Sequence, residues 1–140
     1  MNLDHRRCQV LLTDAESGVL ATVHPTRGVD AVPACFVVRG EVLGIPVDRV
    51  KPKGRGELQR VRNLRADPRA ALLCDHWDGK DWSRLWWVRA TLEYWPGDDD
   101  TKRELEAMLR AKYRQYEGQP FDDLLVFRIT ALSGWSASEG

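Results

Sequence analysis

Long apolar runs, cysteine and net charge are what this chain has least of. No apolar stretch approaches the ~20 residues that a membrane-crossing helix requires. The first ten residues carry Asp4, Arg6 and Arg7 and no apolar segment, so no secretory leader is expected there. Cys8, Cys35 and Cys74 are odd in number and lack a CxxC pair. That argues against a disulfide framework and for a reducing, cytoplasmic setting. Basic and acidic residues balance at 21 each, which argues against nucleic acid as a partner. The histidines His5, His24 and His76 share no metal-ligand spacing. Walker loops, dinucleotide glycine fingerprints and nucleophile elbows are all missing.

What the chain does have is unevenly placed. Its 140 residues suit one domain. Between Arg49 and Arg69 eight basic residues face only Glu57 and Asp67. Such a concentration of one sign calls for a bound anion, such as a cofactor phosphate. Lys51 and Lys53 alternate, so in an extended segment both side chains reach one face. Arg55 and the start of the following helix add donors. A solvated charged face is the competing reading. Four of the six tryptophans follow directly, between Leu72 and Arg89. A basic stretch beside an aromatic one suits a ligand with an anionic tail and a planar ring. Trp77 and Trp82 are candidate walls for that ring, with plain packing as the alternative. Trp86 and Trp87 are adjacent in an expected strand and so point to opposite faces. One face fills the core and the other meets a second subunit, which predicts a homodimer.

The pattern predicts mainly antiparallel β structure with peripheral helices. A first helix is expected over Leu3–Leu12, with Leu3, Val10 and Leu11 on one side. Val19–Val23 reads as a buried strand, and Val29–Val38 as a second carrying Pro33 at an edge or bulge. Arg39-Gly40 turns the chain into Glu41–Val47, so these three strands are expected to form a meander. A short helix follows over Glu57–Arg65, with Leu58, Val61 and Leu64 at spacing three. Strands are expected at Ala70–His76, Leu85–Trp95 and Leu124–Leu132. A longer amphipathic helix spans Thr101–Tyr116, opened by a capping box at Thr101–Glu104. About six strands and three helices close into a small barrel without exposed edges.

Several segments resemble the pyridoxamine-5'-phosphate-oxidase-like family of FMN-binding split-barrel proteins. They are Val19–Val23 with Pro33-Ala34-Cys35-Phe36, then Lys51-Pro52-Lys53, Asn63 and Asp67-Pro68-Arg69. Asp75-His76-Trp77, Asp81-Trp82 and Leu85-Trp86-Trp87-Val88-Arg89 are similar to an actinobacterial branch that uses the deazaflavin coenzyme F420. The resemblance implies a six-stranded antiparallel split β-barrel and a homodimer with two cofactors in grooves between the subunits. It also implies contacts to the cofactor ring from Thr22 and Pro33, although an inward, satisfied Thr22 hydroxyl reads equally well. The Arg-x-Val-Leu-Leu-Lys phosphate signature of true pyridoxamine phosphate oxidases is not evident, and this leaves FMN as the alternative cofactor. The expected activity is hydride transfer from reduced F420 to a small conjugated substrate. No acid-base pair is required, because the cofactor carries the chemistry. An FMN enzyme and a non-catalytic flavin or deazaflavin carrier are the competing functions.

Overall fold

The computed structural model describes residues 1–47, 58–118 and 123–138. Helix α1 (His5–Asp14) is followed by strands β1 (Gly18–His24), β2 (Gly28–Ala34), β3 (Val37–Arg39) and β4 (Val42–Val47). Helix α2 (Gln59–Ala66) leads into β5 (Arg69–His76), β6 (Trp86–Tyr94), α3 (Asp99–Lys112) and β7 (Asp123–Ser136). All seven strands form one antiparallel sheet in the order β2-β1-β5-β6-β7-β4-β3. The two end strands, β2 and β3, are joined in sequence by Cys35 and Phe36 alone. The sheet therefore curls round until its ends meet through the chain, enclosing the core.

Seven strands replace the expected six because Val29–Val38 is broken at Cys35-Phe36. The Phe36 ring is fully buried. Its N–H donates to the Tyr113 hydroxyl at 3.1 Å, and its carbonyl accepts from Lys112 Nζ at 2.9 Å. Side chains at the end of α3 thus satisfy the backbone that a ladder partner would otherwise satisfy. For the same reason the expected meander does not form. β1 lies between β2 and β5, while β4 lies between β3 and β7. Pro33 sits in β2, an end strand, where a missing N–H costs no ladder bond. The Arg39-Gly40 turn forms as expected, with Gly40 at φ +61°, a conformation that favours glycine.

β1 is not buried throughout. Leu20 and Thr22 point inward, whereas Val19 is 40% exposed, the period-two alternation of a strand with one face on the core. The main core gathers Leu12, Leu20, Phe36, Leu43, Leu72 and Phe127, among others. A second cluster packs Leu105 and Leu109 of α3 on Val37, Leu124 and Val126. α3 is capped by Asp98, whose carboxylate accepts from the Thr101 N–H at 2.7 Å. The cap thus falls three residues before the expected box, and the helix ends at Lys112 in a separate short turn. The α1 face is also shifted. Cys8 and Leu12 are buried at spacing four, while Val10 is 44% exposed.

α1 crosses β7 at Gly134. A Cβ there would lie 2.9 Å from the Cys8 sulfur and 2.9 Å from the Trp87 carbonyl oxygen. The carbonyl belongs to a paired strand and cannot step aside. Gly134→Ala should therefore cost ~1–3 kcal/mol, the usual scale of overpacking. A urea melt with an unchanged midpoint would show that α1 is loosely seated.

Candidate functional site

Strand register builds a flat outer face. Pro33, Val19, Leu73, Arg89 and Ser133 stand side by side across β2, β1, β5, β6 and β7. The next row is Ala31, Ala21, Ala71, Thr91 and Ala131. Val29 is 69% exposed on the same face, Leu73 41%. Beyond His76 the chain carries Trp77 and Trp82, 59% and 65% exposed, with ring centroids 5.6 Å apart and planes tilted 48°. Trp82 opens a short helical turn that Asp81 caps, accepting from the Ser83 N–H at 3.1 Å and its hydroxyl at 2.6 Å. Trp86 and Trp87 do point to opposite faces, but neither is fully buried. Trp86 packs on the core and stacks on His76 at 6.3 Å. Trp87 faces outward, with the Arg89 guanidinium 5.3 Å from its ring centroid.

Two shallow hollows mark this face. One, of about 390 Å³, is lined by Leu73, Asp75, Trp77, Leu85, Trp87 and Arg89. The other, of about 230 Å³, includes Ala21, Thr22, Val29, Arg69 and Ala71. Large exposed apolar residues gathered on one sheet face are what a partner or a ring-shaped ligand covers.

Helix α2 packs on the inward side of β1 and β2, opposite the outer rows. Its Asn63 is fully buried and donates to the Thr22 hydroxyl at 3.0 Å and to the Asp30 carboxylate at 2.9 Å. Gln59 donates to the Asn63 side-chain oxygen at 2.8 Å, and Asp30 also pairs with Arg27 at 2.9 Å. The Asn63 bond, then Arg27, holds the Asp30 carboxyl below the usual carboxylate range. At the other end of α2, hydrogen bonds from Arg69 take Asp67 down to about 2. At the N-terminal end, among the described residues, Leu58 offers no side-chain cap and the first turn contains no acid. In that turn the Arg60 Nε is buried with no acceptor among the described residues. An uncapped helix start beside an orphaned guanidinium N–H is a surface short of an anion.

Trp77 and Trp82 are brought together on the outer face, and Pro33 lies two strands away in the Leu73 row. Thr22 is 2% exposed, and its hydroxyl is engaged by Asn63; its chief visible role is to seat α2. Lys51, Lys53 and Arg55 lie outside the described residues. Asn63 lies in the segments that carry the family resemblance and Arg60 in the basic stretch, whereas Asp30 had no sequence signal. Asn63 had a signal, a weak helix former in the middle of a helix, but its partners 33 and 41 positions away carry none.

No family model and no curated protein matches the chain. Solved structures do match in fold. An FAD-binding protein from Mesorhizobium loti superposes with TM-score 0.71 at 19% identity, over 96% of this chain and 93% of that one. A heme storage protein from Vibrio cholerae gives TM-score 0.64 at 16% identity, over 91% and 92%. An FAD binding protein from Mycobacterium smegmatis gives 0.60 at 14%, over 96% and 97%. The chain is a mainly β, split-barrel protein, and its fold is shared by proteins that hold flavin or heme.

Proposed function

We propose that this chain binds a phosphate-bearing flavin-type cofactor, coenzyme F420 ahead of FMN, and acts as an oxidoreductase on a small conjugated substrate. The orphaned Nε of Arg60 at the uncapped start of α2 carries this reading. A phosphate suits the unsatisfied Arg60 N–H, and a planar ring suits the apolar outer face. The FAD-binding proteins of the same fold support the flavin class. The tryptophan-rich segment, with its resemblance to the F420 branch, supports the finer choice. A bound deazaflavin supplies hydride chemistry. The chain's residues supply position and exclusion of water: Arg60 and the basic stretch for the anionic tail, and Trp77, Trp82 and Pro33 for the ring. A second copy of the chain would cover Val19, Val29 and Leu73 and close the groove, so the working form is a homodimer.

Titration with F420, FMN and FAD, followed by tryptophan fluorescence, tests the cofactor. Quenching by F420 at the lowest concentration is expected, and no response to any of the three removes the proposal. Arg60→Ala should weaken binding by ~1–2 kcal/mol, the scale of one charge-assisted bond. Its melting temperature should hold, because the deleted Nε satisfies no acceptor. A lower melting temperature with unchanged affinity would make Arg60 a packing residue instead.

A further inference from the structure

A cavity of about 490 Å³ lies away from the outer face, where α3 ends against the link between β2 and β3. Glu16, Ser17, Cys35, Lys112, Tyr113 and Tyr116 line it, with Arg114 beside them. It shares no lining residue with the two hollows of the outer face. Its volume is in the range of small-molecule sites.

Lys112 is its distinctive member. Nζ donates to the Phe36 carbonyl at 2.9 Å, reaches the Thr13 carbonyl at 3.5 Å, and sits 4.1 Å from the Phe36 ring centroid. Both acceptors are neutral. An ammonium has three donors, and beyond the two carbonyls Nζ meets only the faces of the Phe36 and Tyr113 rings among the described residues. Among the described residues no carboxylate reaches ion-pair distance. Burial is the main influence on its pKa and holds it below the usual lysine value, against the opposing pull of Asp14, Glu16, Cys35 and Cys74. The wall beside it is rigid. The Tyr113 hydroxyl donates to the Glu16 carbonyl at 2.7 Å and accepts from the Phe36 N–H. The Tyr113 and Tyr116 rings meet nearly edge to face, 6.1 Å apart at 87°.

The geometry points to a second ligand site here, for a small planar monocarboxylate whose anion meets Lys112 and Arg114 and whose ring lies along Tyr113 and Tyr116. Lys112 and Arg114 offer an anion two cationic partners, with Glu16 in the lining and Asp14 near Lys112 as the opposing charges, so a singly charged ligand is favoured over a more highly charged one. A tetrahedral dianion would demand more converging donors and would be opposed by Glu16. The Arg114 fork matches a carboxylate in shape.

Benzoate is the probe, added to the full chain up to about 10 mM, which covers affinities down to the millimolar range. Amide and side-chain NMR signals should shift at Ser17, Cys35 and residues 112 to 116, while the Trp77 and Trp82 indole signals stay put. Lys112→Met should weaken binding about tenfold or more. Arg114→Gln, an exposed change that leaves the Phe36 contacts intact, should weaken it about threefold. Binding should also fall as pH rises through the Lys112 titration, since only the ammonium attracts the anion. No localised shifts, equal affinity in both variants, or the same shifts at equal strength with inorganic phosphate would each overturn the assignment. Loss of F420 binding leaves it standing, because the two sites share no residue.

Discussion

Asn63→Ala should lower stability by ~2–4 kcal/mol, the range for breaking a buried hydrogen-bond network. On a domain of this size that is a fall of roughly 10 °C in melting temperature. The amide bridges α2 to both β1 and β2 through Thr22 and Asp30 and also receives Gln59. Alanine leaves the Thr22 oxygen buried without its donor and opens a void under α2. The acid limb of stability should change as well. In the folded chain the Asp30 carboxyl is held below its ordinary 3.8, chiefly by Asn63. A depressed carboxylate contributes stability above its unfolded pKa, and loses it as pH falls through the folded value. In the variant that depression shrinks, so wild type and variant should converge as pH drops below about 4. Thermal melts from pH 7 to pH 3 read this directly. A constant gap across that range would mean that Asp30 gains nothing from the amide. Cofactor titration of the same variant should show weaker binding, because this anchor positions the first turn of α2, which carries Arg60.

Short apolar segments bounded by turns carried much of the fold. Ala70–His76 and Leu85–Trp95 stood out as strands either side of a polar loop, and the helical spacing of Leu105 and Leu109 marked the buried side of α3. The misplaced features share one cause: their partners are distant in sequence. The break at Phe36 depends on Lys112 and Tyr113, 76 and 77 positions away. Within Val29–Val38 the local sign of irregularity is Pro33, which marks an edge or bulge but not the break at Cys35-Phe36. Likewise Cys8 replaced Val10 on the buried side of α1 because Gly134 opens a slot in β7 just there. The site was legible by composition but not by arrangement. Trp77 and Trp82 stood out singly as candidate ring walls, while their contact with each other emerges only from the fold. The orphaned Arg60 was hidden among three helical arginines of equal appearance, since only tertiary packing separates a buried Nε from a solvated one.

Phe127→Ala should be the most damaging of the substitutions considered, at ~3–5 kcal/mol for a fully buried aromatic ring. Phe127 is inaccessible, sits opposite Leu43 on β4 and Tyr94 on β6, and meets the Tyr94 ring edge-on at 5.8 Å. It thus joins the two halves of the sheet, strands β3–β4 and strands β5–β6, through one side chain. A domain whose whole stability is ~5–15 kcal/mol would lose much of it, with the urea midpoint falling and the slope unchanged. Phe127→Leu keeps most of the volume and should cost far less. Trp82 is the opposite case: a ring of comparable area that is 65% exposed. Trp82→Ala should cost under ~1 kcal/mol of stability, since little surface returns to water. It should nevertheless reduce cofactor quenching. A Trp82 variant as unstable as the Phe127 variant would assign the exposed pair to folding rather than binding. Equal quenching in wild type and the Trp82 variant would take that ring out of the site.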